Sequence, residues 1–134
     1  MGIEVPLDIL GAWSEADHVA AVPADPVVDA EAVERAAACI GAGSRPVIYA
    51  GGGVNRSGAS GELTALAERL GAPVLTTALG KGAIAEDHAL YVATLSLWSP
   101  WATTGPVAEL VAAADPLIVI GGRLSDASTN DWSM

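Results

Sequence analysis

Residues 45 to 53 run Arg45-Pro46-Val47-Ile48-Tyr49-Ala50-Gly51-Gly52-Gly53. An apolar run passes into three bare glycines, and a helical pattern comes after them. That order of strand, exposed backbone and helix is the layout of an open α/β sheet, whose ligand crevice lies beyond the carboxyl ends of its strands. Glycine lets a chain turn sharply there or bring its backbone close to a ligand, because no Cβ intervenes. A tight turn that serves packing alone uses the same residues, and the sequence leaves the two open.

Two further apolar runs repeat the theme: Pro73-Val74-Leu75-Thr76-Thr77 and Leu117-Ile118-Val119-Ile120, the latter ending at Gly121-Gly122-Arg123. Neither is polar at alternate positions. Unbroken apolar runs mark parallel strands covered on both faces and joined by right-handed crossovers. Helical spacing fills the gaps. Asp29 caps a first helix over 30–41 with Val33, Ala36, Ala37 and Ile40 as its apolar stripe. Leu63, Leu66, Ala67 and Leu70 define a second helix stopped by Gly71, and Pro106 opens a third through Ala114. Residues 78–93 are irregular, with a short strand near Tyr91. The expected fold is a Rossmann-like three-layer α/β domain with a mostly parallel sheet. Since such domains carry five or six strands and the chain stops soon after the third clear one, the sheet is expected to lack its last strands. Residues 1–28 read as the remnant of a preceding domain and a linker, and 29–134 as the domain proper.

With 134 residues the chain is one domain's worth. Sixteen Asp and Glu against six Lys and Arg give a net charge of −10. That balance repels phosphate backbones and anionic lipid surfaces, so neither nucleic acid nor membrane is an expected partner. No apolar run approaches the ~20 residues needed to span a bilayer, and no signal-peptide pattern opens the chain, which points to the cytoplasm. The single cysteine, Cys39, lies in a helical apolar pattern and is expected to be a buried small hydrophobe.

Tested against known chemistries, the glycines exclude more than they admit. A dinucleotide fingerprint needs a third glycine at position 56, which is Arg56, and an acid at the end of the second strand, which is Thr76-Thr77. The Gly53-to-Gly58 spacing suits a P-loop, yet Ala59 takes the place of its lysine. His18 and His88 are far apart and make no metal site. Lys81 reads as a surface lysine or a cation facing a phosphate or a neighbouring subunit. Arg123 shares the sheet edge of the Gly51 and Thr77 turns, which favours a ligand or interface role. Trp98 and Trp101 suit an interface or burial against the sheet. No arrangement of nucleophile and base is visible, so no catalytic residue is expected.

Taken in order, several stretches resemble the central domain of thiamine-diphosphate-dependent enzymes of the acetolactate synthase type. They are Arg45 to Gly53, Ala65 to Thr77, Gly80-Lys81-Gly82 with Glu86-Asp87-His88, and Gly121-Gly122-Arg123; Val5 to Leu10 looks like the closing strand and exit of that family's N-terminal domain. The resemblance implies a central domain of a 2-keto acid decarboxylase or synthase, lying between the pyrimidine- and diphosphate-binding domains. Those domains or chains would be its partners, with a homo-oligomer expected. In flavin-containing members this domain holds FAD, and Gly51, Gly52, Gly53, Thr77, Ala78, Leu79, Trp98 and Arg123 are the matching positions. Ser96-Leu97-Trp98-Ser99 and Ser125-Asp126-Ala127 depart from the family's usual residues. Thiamine diphosphate and Mg²⁺ belong to the full enzyme, so the chain alone is expected to bind neither and to be inactive, with FAD the one cofactor open to it. A stand-alone structural or oligomerisation module of the same fold is the alternative.

Overall fold

The structure, a computed structural model, describes residues 6–10, 12–13, 27–95 and 104–129. Four strands, β1 (Val47–Ala50), β2 (Val74–Thr77), β3 (Tyr91–Leu95) and β4 (Leu117–Ile120), form one sheet. Its order is β3-β2-β1-β4, and every pairing is parallel. The helices are α1 (Leu7–Leu10), α2 (Ala30–Ala42), α3 (Gly52–Ser57), α4 (Ser60–Leu70), α5 (Pro106–Ala112) and α6 (Asp126–Thr129), with a single 3₁₀ turn at Ala78–Gly80.

Helices cover both faces of the sheet, as the unbroken apolar strands require. Alternate residues of β1 point opposite ways, and all four are buried. Ile48 and Ala50 join Val74 beneath Val54 of α3 and Leu63 and Ala67 of α4. Val47 and Tyr49 join Leu75 and Leu95 on the other face, where Val107, Leu110 and Val111 of α5 pack. The expected Rossmann-like three-layer α/β architecture is the observed one.

Several elements differ from the sequence reading. The segment near Tyr91 is a full strand, paired to β2 with an irregularity between Val74 and Leu75. The helix expected before Gly71 is α4, and a separate short helix, α3, precedes it, ended by Gly58 at a left-handed φ of 69°. Residues 7–10 make a helical turn, not the end of a strand. Asp29 caps α2 as expected, its carboxylate accepting the Ala32 N–H at 3.1 Å. The stripe on that helix is not covered, however: α2 has no buried residue, and Val33 is 56% exposed. Cys39 is accordingly exposed, not buried, because no described element packs on α2's apolar face.

Candidate functional site

From β1 the chain moves outward through β2 to β3, then crosses back to place β4 on β1's other side. The carboxyl ends of β1 and β4 therefore flank a topological switch point, where open α/β sheets bind ligands. A cleft of about 170 Å³ opens there. Each strand contributes the residues at its exit: Gly51 and Gly52 from β1, Thr77, Ala78 and Leu79 from β2, Leu95 from β3, and Gly121, Gly122 and Arg123 from β4. Arg56 of α3, Ser125 just before α6 and Ser128 within α6 complete the wall.

Backbone contact fixes the floor. Gly51 N–H donates to the Ile120 carbonyl at 2.8 Å, and Gly53 N–H to the Gly121 carbonyl at 2.9 Å. A Cβ on Gly53 would lie 2.7 Å from the Gly121 Cα, and one on Gly121 would lie 2.7 Å from the Val54 nitrogen. Gly53 is thus a packing glycine that keys α3 against the β4 exit, and it does not line the cleft. Gly121 has a second requirement, a φ of 62°.

The β2 exit is held from two sides. Thr77 caps the 3₁₀ turn, its hydroxyl accepting the Gly80 N–H at 3.0 Å. Asn55 of α3 donates its side-chain amide to the carbonyls of Leu79 and Lys81, at 3.2 and 3.0 Å. Leu79 itself is left 72% exposed at the rim.

The wall beyond β4 is a compact turn. Ser125's carbonyl accepts the N–H groups of Ser128 and Thr129 and both of their hydroxyls. Leu124 precedes it with a φ of 49°, left-handed for a residue that is not glycine. From the core side, the Tyr49 hydroxyl donates to the Ser128 carbonyl. Tyr49 is 1% exposed, and burial pushes its phenol up to about 12.

Of the positions the resemblance implies, Gly51, Gly52, Thr77, Ala78, Leu79 and Arg123 meet at this cleft, Gly53 sits behind it, and Trp98 lies outside the described residues. Sequence reasoning missed Arg56, Leu95, Ser125 and Ser128; nothing local marks them, since they converge only through α3 and the Leu124 bend. Lys81 points elsewhere and pairs with Glu86 at 3.2 Å, an exposed ion pair worth at most ~1 kcal/mol. His88 is half-buried and braced: its Nε2 meets Glu68 of α4 at 3.2 Å, and its Nδ1 accepts the Leu90 N–H. His18 lies outside the described residues. Among the described residues no group of three or more His, Cys, Asp or Glu could hold a metal ion, and no helix is long and apolar enough to cross a membrane.

A parallel sheet covered by helices on both faces, with a glycine-floored cleft at its switch point, places the chain in the open, doubly wound class of α/β proteins. Residues 33–134 match the family described as thiamine pyrophosphate enzyme, central domain, and the chain belongs to that family. It is 46% identical over 99 residues, 74% of its length, to a probable acetolactate synthase large subunit of Methanocaldococcus jannaschii. It is 37% identical over an alignment of 136 positions, gaps included, that covers 97% of its length, to a probable 2-ketoarginine decarboxylase of Pseudomonas aeruginosa. These alignments cover 16% and 22% of the two relatives, so the chain spans about a fifth of their length or less. A solved structure from Mycobacterium smegmatis, described as a thiamin diphosphate-dependent enzyme, superposes with a TM-score of 0.57 at 36% identity. It covers 75% of this chain and 19% of that one.

Proposed function

We propose that this chain serves as the non-catalytic central domain of a thiamine-diphosphate-dependent 2-keto acid decarboxylase or synthase of the acetolactate synthase kind. In this reading the switch-point cleft holds the anionic part of FAD. One observation carries the ligand reading. The chain has six Lys and Arg against sixteen Asp and Glu, yet Arg56 and Arg123 both line this one cleft and, among the described residues, no carboxylate does. Two guanidinium groups on a glycine floor suit a diphosphate, which their planar forks bind through paired N–H donors.

Size sets how much of FAD the cleft takes. At about 170 Å³ it is smaller than the roughly 300–1,000 Å³ of pockets that enclose a whole ligand. It would take a diphosphate with an adjoining sugar, not the whole cofactor. When bound, FAD would supply an isoalloxazine ring system; this chain's own residues would bind and orient it. Thiamine diphosphate and Mg²⁺ belong, on this reading, to the pyrimidine- and diphosphate-binding domains of the full enzyme, which this domain would join in a homo-oligomer.

Titration of the purified chain with FAD, followed by flavin fluorescence, tests the ligand reading. Saturable binding that weakens with added salt and is lost in Arg56→Ala/Arg123→Ala is expected; no saturation up to millimolar FAD would sink it. Calorimetric titration with thiamine diphosphate and Mg²⁺ should give no heat of binding, and a saturable heat would overturn the non-catalytic assignment.

A further inference from the structure

We propose that Tyr49 is the positioning residue of the switch-point cleft: its buried hydroxyl, which does not line the cleft, holds the Arg123–Ser128 wall in the shape that presents Arg123. Tyr49 points into the core with Val47, Leu75 and Leu95, and a phenol buried there must find an acceptor. It finds the Ser128 carbonyl, and its raised pKa of about 12 keeps it a donor throughout the neutral range.

Ser128 belongs to α6, four residues long and too short to hold itself as a helix. Its bonds onto the Ser125 carbonyl close the turn internally, and the Tyr49 bond ties that turn to the sheet. Between the turn and β4 sits Leu124 at a φ of 49°, flanked by the cleft residues Arg123 and Ser125. A left-handed leucine persists when its surroundings fix both of its ends. β4 holds one end, through the Ala50–Ile120 pairing, and the Tyr49 bond to Ser128 is one of the contacts that hold the other. Without the hydroxyl, Leu124 relaxes toward negative φ and carries Arg123 away from the Gly51 turn.

Tyr49→Phe in the whole chain tests this, since the ring stays to fill the core and circular dichroism checks the fold. Hydrogen exchange is read first. Loss of one buried hydrogen bond is expected to speed exchange of the Ser128 and Thr129 amides about tenfold, leaving the β1 amides within about twofold. Unchanged exchange at 125–129, or an equal rise throughout the sheet, overturns the proposal. The second reading is FAD affinity, which rests on the proposed cofactor role of the cleft. Tyr49→Phe should raise the FAD dissociation constant about five- to tenfold, and an unchanged constant overturns the presentation of Arg123. In a Leu124→Gly background, where the left-handed φ is free of strain, that penalty should shrink to about twofold; an undiminished penalty overturns the route through Leu124. If the unmutated chain binds no FAD, the cofactor reading fails by itself, and the exchange measurement still decides Tyr49.

Discussion

At the scale of single residues, identical amino acids carry quite different demands. Gly58 and Gly121 both take a left-handed φ, of 69° and 62°. A Cβ on Gly58 meets nothing within 4 Å, whereas one on Gly121 strikes the α3 backbone at 2.7 Å. Gly58→Ala should therefore cost about 1–2 kcal/mol, the left-handed penalty alone. Gly121→Ala should cost more than ~4 kcal/mol or prevent folding, because backbone cannot yield as a side chain can. Urea denaturation of the two variants checks the difference, and equal midpoints would contradict the Gly53–Gly121 contact. Tyr49 sets a pH dependence of its own. Its phenol ionises near 10 when unfolded and at about 12 when folded, so the fold favours the protonated form. That contribution is complete below pH 10 and is lost as pH rises from 10 through 12, by roughly 2–3 kcal/mol. Stability measured at pH 9 and pH 12 should fall more for the native chain than for Tyr49→Phe by about that amount.

Elements divide by how far their formation is decided locally. β1, β2 and β4 are legible because a parallel strand covered on both faces is an unbroken apolar run, and VIYA, VLTT and LIVI are such runs. β3 is half-legible: Thr94 interrupts its apolar character, and that hydroxyl is explained by Thr76 across the sheet at 2.8 Å and by the Tyr91 hydroxyl at 3.0 Å. The α3–α4 break was illegible, since GGGVNRSG has no apolar period and Gly58's left-handed turn resembles any glycine in a helix. The cleft follows the same division. Its glycines and Arg123 announce themselves beside strand ends, while Ser128 depends on a tyrosine 79 residues away. Periodicity also says which face of a helix is apolar without saying what lies against it, which is why Cys39 and Val33 on α2 are exposed. The consequence is measurable: Val33→Ser should change stability by less than ~0.5 kcal/mol. Leu63→Ala, in α4's buried stripe, should cost about 2–5 kcal/mol. Asn55→Ala should cost about 1–2 kcal/mol through its two bonds to the β2 exit and should speed amide exchange in residues 79–83. Unchanged exchange there would remove Asn55 as the clamp of that turn.

For the whole molecule the two sides of the sheet's centre are unequal. β1 lies between β2 and β4 with all four residues buried. Among the described residues β4 pairs with β1 alone, and its run LIVI stays partly exposed, Leu117 at 37%. Parallel strands are stable when both faces are covered, and an apolar edge strand with free N–H and C=O groups is a template for another strand. Neither of the common protections is present in β4, which contains no lysine and no proline. Charge does not protect the edge either: β4 carries no charged side chain, and repulsion from the net −10 spread over the rest of the chain is screened beyond ~8 Å at physiological salt. The chain in solution is therefore expected to associate through β4, giving a dimer or larger species whose mass depends on concentration. Light scattering from about 1 to 100 µM reads it directly. Leu117→Lys places a charge on the edge at a position already partly solvated, so it should return the chain to a monomer without lowering its unfolding midpoint by more than ~1 kcal/mol. A monomer mass for the native chain across that range would show that β4 is not an association edge.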